Sequence, residues 1–138
     1  MSKIADSAIK INCSSVGNFI KMWLTFLTPL HKLTPTIINL AAEILRQRFE
    51  LSESISNESI LDNYLMTNKD ITNSIMNNCN LSSSNYHVGI TKLRKAGFFK
   101  EGKINPKFIP KITKDSTSYS VMLLFSIPEK DDSTREDL

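Results

Sequence analysis

The sequence predicts an α+β fold that is mostly α: a set of amphipathic helices, a short hairpin after them and a strand near the end. Three observations predict it. Apolar residues recur at helical spacing from Val16 to Phe49 and again from Ile60 to Leu93; Gly97 and Gly102 bracket a short segment of strand-like residues; and Tyr119, Val121, Leu123 and Phe125 alternate at strand period.

The elements follow in order. Ala8 to Asn12 alternate well enough for a short strand. Val16, Phe19, Ile20, Trp23, Leu24 and Leu27 fall on one helical face, and Ser14 or Ser15 can cap its start, so a helix is expected from about Ser15 to Thr28. At this spacing Trp23 belongs to the core. Thr34 followed by Pro35 opens the next helix: the hydroxyl is expected to accept an orphan backbone N–H, and proline fits the first helical position. That helix should run to about Phe49, burying Ile37, Leu40, Ala41, Ile44 and Leu45, with Glu43, Arg46, Gln47 and Arg48 outward or at the rim. After a serine-rich, acidic stretch, Asn57 can cap a short helix carrying Ile60, Leu61, Tyr64 and Leu65.

From Ile71 to Gly97 the spacing predicts two short helices and a tight turn. Thr72 is the expected N-cap of the first, with Ile75, Met76 and Cys79 facing inward. Asn80 stands where the chain must turn, because asparagine tolerates the left-handed conformation, and Leu81 fills the corner. Ser82 caps the second helix, in which Tyr86, Gly89, Ile90 and Leu93 make the buried stripe; it should end near Ala96, with Gly97 as its left-handed stop. Two short helices joined in this way form a helix-turn-helix, whose second helix is the one that enters the major groove of DNA.

In this register the chain resembles the winged helix family, in particular regulators of the MarR type and the RepL-like plasmid and phage replication proteins. Ile75, Met76, Cys79, Asn80, Leu81, Ser82, Tyr86, Ile90, Leu93 and Gly97 stand at the positions of the shared pattern, with Met76 where alanine and Asn80 where glycine is usual. The likeness reaches upstream to Leu33, Thr34, Pro35 and Thr36 and downstream to Ile104, Asn105 and Pro106, about residues 33–110; the span between Phe49 and Ile71 is longer than the family norm. The resemblance implies a winged helix-turn-helix docking on double-stranded DNA; it explains neither end of the chain, where the apolar spacing adds an extra N-terminal helix and a C-terminal strand.

Phe98 to Asn105 read as two short strands around a Gly-containing turn, the expected wing, and Pro106 and Pro110 break any helix there. The almost wholly apolar run Val121 to Phe125 predicts a strand covered on both faces. Its partner would be Phe108 to Ile112, the N-terminal strand or a second subunit. At 138 residues, 41% hydrophobic and 22% charged, one globular domain is expected over 1–128, with 129–138 an acidic, flexible tail.

Charge placement fits the same reading. Lys92, Arg94, Lys95, Lys100, Lys103, Lys107, Lys111 and Lys114 lie in one stretch against a single acid, Glu101. On the second helix of the motif, Ser83, Ser84, Asn85, His87, Val88 and Thr91 point away from the buried stripe. Asn85 suits adenine, the serines bases or phosphates, and Val88 or Thr91 a thymine methyl. Lys92, Arg94 and Lys95, with Lys100, Lys103 and Lys107 in the wing, have the chemistry of phosphate contacts that position without specifying. The expected partner is double-stranded DNA, with a second copy of the chain as a homodimer beside it; the alternative is a set of protein partners in a replication, transcription or virion assembly.

Other classes are disfavoured. His31 and His87 are the only histidines, there is no nucleophile-base-acid order, and four glycines make no phosphate-cradling loop, so neither an enzyme, a metal site nor a cofactor is expected. Cys13 and Cys79 read as reduced thiols. The apolar stretch from Val16 to Leu27 is interrupted by Asn18, Lys21 and Thr25 and is too short to span a bilayer, and the first residues lack the pattern of a signal peptide. A cytoplasmic protein without membrane contact is expected.

Overall fold

The computed structural model describes residues 7–13, 15–112 and 119–125. The fold is mostly helical with two small antiparallel sheets. In chain order the elements are β1 (Ser7–Cys13), α1 (Val16–Phe26), α2 (Thr28–His31), α3 (Pro35–Leu51), α4 (Glu58–Thr67), α5 (Lys69–Cys79), α6 (Ser83–Lys95), the hairpin β2 (Phe99–Lys100) and β3 (Lys103–Ile104), a 3-10 turn (Pro106–Phe108) and β4 (Tyr119–Phe125). The acidic segment 129–138 and Lys114 lie outside the described residues.

Helix α3 is the axis on which α1, α4, α5 and α6 pack. Ile37, Leu40, Ala41, Ile44 and Leu45 are buried along it, meeting Ile20 and Leu24 of α1, Leu65 of α4, Ile75 of α5, and Tyr86, Ile90 and Leu93 of α6. Phe98, Ile104 and Phe108 close the core below α6, with the Phe98 and Phe108 rings 5.5 Å apart. Trp23 is half-buried and donates its indole N–H to the Phe108 carbonyl at 3.0 Å, tying α1 to the chain beyond the hairpin.

Several expectations are corrected. Thr34 makes no side-chain cap bond; its carbonyl accepts from Ile38 N–H, and Pro35, which has no N–H to satisfy and a preset φ, starts α3 by itself. Thr72 is not the cap of α5. Asn68 is, accepting from Ile71 N–H at 3.1 Å while its own N–H closes α4 on the Tyr64 carbonyl, so α4 and α5 meet at one residue. Arg48 is not at the rim but buried, because Asp62 of α4 faces it. A short α2 follows α1, ending on Lys32 at φ 57°, and buries His31, whose Nδ1 accepts from Leu33 N–H at 2.9 Å and whose Nε2 lies 2.7 Å from the Leu24 carbonyl. Pro106 opens a 3-10 turn rather than ending all helical structure.

Of the partners considered for the last strand, the N-terminal one is found. β1 and β4 pair antiparallel over seven residues, from Ser7 opposite Phe125 to Cys13 opposite Tyr119, and α1 packs on both strands. The ribbon therefore joins the two ends of the described chain.

Candidate nucleic-acid interface

Both ends of the helix pair are built from local hydrogen bonds. Ser82 Oγ accepts from Asn85 N–H at 3.2 Å to start α6. Asn80, at φ 57°, ends α5 with Leu81 N–H bonded to the Met76 carbonyl. Gly97, at φ 86°, ends α6 with Phe98 N–H bonded to the Leu93 carbonyl. The two stops share one pattern, in which the residue after the left-handed position reaches back over the last turn.

Tertiary contacts then fix the pair. Gly89 lets α6 lie against α3: a Cβ there would sit 2.5 Å from Leu40 Cδ2. Glu43 of α3 holds α5, its carboxylate accepting from Asn78 at 2.7 Å and from Arg46 and Gln47, while Gln47 also bonds Ser74. Burial would push the Glu43 carboxyl up, but these hydrogen bonds outweigh it and hold the group below its ordinary value. Tyr86 is buried, which raises its phenol, an effect that the nearby Thr72 of α5 partly offsets.

The hairpin turns at Glu101 and Gly102, φ 55° and 77°, two positive values in succession that match the right-handed twist of short hairpins. Two groups moor its base. Asn105 donates to the Gly97 carbonyl at 3.0 Å, and Asp62 Oδ2 accepts from Ile104 N–H at 3.1 Å while Oδ1 accepts from Arg48 Nε at 2.6 Å. Sequence reasoning missed Asp62 and Arg48 as supports of the hairpin. Their signal was positional: Arg48 continues the buried spacing of Ile37, Ala41 and Ile44, and Asp62 lies between the buried Leu61 and Leu65.

Every residue expected to contact DNA is exposed: Ser83, Ser84, Asn85, His87, Val88, Thr91, Lys92, Arg94 and Lys95 on α6, and Lys100, Lys103 and Lys107 after it. They do not form one surface. At about 100° per residue, Ser84, Val88, Thr91 and Lys95 share the outermost stripe, Asn85 and Lys92 lie on one flank, and His87 and Arg94 on the other. His87 and Arg94 line an open cleft of about 430 Å³ against the hairpin, floored by Met66, Tyr86, Ile90 and Phe99. Lys107 lies on the 3-10 turn and not in the hairpin where the sequence reading put it.

Residues 1–91 hold seven basic and seven acidic side chains, whereas 92–128 hold eight basic and two acidic ones. Within the hairpin Lys100 stands directly opposite Lys103, an arrangement of like charges that weakens a two-residue ladder unless an anion lies between them. Lys92, Arg94 and Lys95 occupy the last turn of α6, where they also complement the partial negative charge of the helix end.

Among the described residues no group of three or more His, Cys, Asp or Glu side chains comes together. Cys79 is a half-buried free thiol, raised by burial and by the nearby Glu43 charge, and Cys13 is a second free thiol. No helix among the described residues is long and apolar enough to cross a membrane. Compared with known proteins, the chain matches no family model, no curated protein and no solved structure.

Proposed function

We propose that this chain is a double-stranded DNA-binding protein of the winged-helix type, acting in transcription regulation or in replication initiation of a plasmid, phage or bacterial genome. The observation that carries the reading is the hairpin beside α6. Lys100 and Lys103 face each other across it with only Glu101 as a nearby acid in sequence, and the adjoining helix presents an uncharged polar half followed by a cationic one. Phosphate relieves the lysine repulsion, and the uncharged half of α6 is free to approach base edges without meeting the backbone charge first.

Fluorescence anisotropy with a random-sequence duplex tests this. Counterion release makes the logarithm of affinity fall linearly with the logarithm of salt, with a slope near 0.9 for each phosphate neutralised. Replacing Lys100 and Lys103 with alanine should flatten that slope by about two units and weaken all sequences alike. Absence of duplex binding at low salt, or a slope indifferent to both lysines, overturns the reading. A second reading, a winged helix used for protein contact in a replication, transcription or virion assembly, is favoured by Ile60 and Tyr64, 59% and 43% exposed one turn apart on α4. A partner bound there would survive the lysine substitutions.

A further inference from the structure

We propose that α6 selects a pyrimidine by its 5-methyl group, an inference that rests on the DNA-binding reading and sharpens it. The outermost stripe of the helix begins with Ser84, Val88 and Thr91, and carries no charge before Lys95. Val88 is 51% exposed, one of four large apolar side chains left in the open among the described residues. Thr91 donates its hydroxyl proton to the His87 carbonyl at 3.0 Å. That bond turns the polar arm of Thr91 back onto its own helix and leaves the γ-methyl as the outward group. Val88 and Thr91 are three residues apart, hence neighbours on the helix surface, so their methyls form one apolar strip.

In the major groove the apolar group offered at a base edge is the 5-methyl of thymine, and 5-methylcytosine carries the same group at the same place. A reader working by hydrogen bonds would hold an amide or guanidinium on this stripe. Here the amide, Asn85, lies on the flank, about 100° from Ser84.

The test uses a duplex selected by the protein from a random-sequence pool. Replacing each thymine in turn by deoxyuridine removes one methyl and nothing else. At the contacted position, affinity should fall about fourfold for each methyl buried. Methylating a cytosine placed there should raise affinity by a similar factor. Val88→Ala and Thr91→Ser should bring the thymine-to-uracil ratio toward one, whereas Thr91→Val, which keeps the methyl, should preserve it. Val88 and Thr91 are exposed, so thermal midpoints should stay unchanged. Salt-dependent binding that ignores every thymine-to-uracil change, shows no gain with 5-methylcytosine, or keeps its ratio in Val88→Ala and Thr91→Ser overturns this inference and leaves the DNA reading standing. No duplex binding at any salt overturns both.

Discussion

Replacing Asp62 with alanine removes a carboxylate that joins α3, α4 and the hairpin. It is 2% exposed and accepts a hydrogen bond from Arg48 Nε on one oxygen and from Ile104 N–H on the other. In the variant the buried guanidinium loses its counter-charge, a change that costs about 3 to 5 kcal/mol, and the Ile104 N–H loses its acceptor, which alone costs about 1 to 3 kcal/mol. Both penalties arise at one carboxylate and relax together, so we expect a loss of about 4 kcal/mol, a large part of the 5 to 15 kcal/mol typical of a domain. Urea denaturation followed by helical circular dichroism measures it. Asp62→Asn keeps the shape and one acceptor oxygen and should lose about half as much. The pair Arg48→Met with Asp62→Leu removes both charges and should recover most of the stability. It should leave the Ile104 amide fast in hydrogen exchange, because that donor still has no acceptor. A loss below about 1 kcal/mol in Asp62→Ala, or an Ile104 amide equally protected in wild type and in the double variant, would refute the account of how the hairpin is held.

Two further outcomes follow from the packing of α3. Gly89→Ala should destabilise by about 1 to 3 kcal/mol in spite of alanine's better helix propensity, since the new Cβ would lie 2.5 Å from Leu40 Cδ2 in a fully buried position; a higher thermal midpoint would contradict the α3–α6 contact. Glu43 lies below its ordinary value of 4.5 when folded, so its contribution is complete above that pH and is lost as pH falls through the lowered folded value. The acid side of the stability profile should therefore be shallower in Glu43→Gln, and superimposable profiles would count against the Glu43 link between α3 and α5.

What the sequence disclosed is what local hydrogen bonding decides. Ser15, Asn57 and Ser82 cap their helices as expected, and Asn80 and Gly97 take the left-handed stops, because each acts on backbone within a few residues of itself. Thr72 misled because a threonine before an apolar run looks like a cap, whereas Asn68, four residues earlier, had already opened α5. Arg48 and Asp62 are fourteen residues apart, and charge argues for the surface unless a partner is known. For the site, residue types were legible but their grouping was not. Asn85 and His87, considered together, fall on opposite flanks of α6, and only His87 of the two lines the cleft against the hairpin. The strands at either end were visible as alternation, whereas their pairing spans more than a hundred residues and leaves no local trace.

That long-range pairing has a mechanical consequence. Ser7 and Phe125 are register partners, so the two ends of the described chain leave the ribbon side by side. Tension applied through them loads the ribbon as a zipper, breaking its backbone bonds one after another from the Ser7–Phe125 end, and force reaches α1 and the helices behind it only after the strands have parted. On folding the order reverses: the helices form through short-range contacts, and the ribbon, whose closure spans a loop of more than a hundred residues, comes last. The described chain thus has a peelable seam between its first and last strands, and opening that seam leaves the α5–α6 pair and the hairpin assembled around α3.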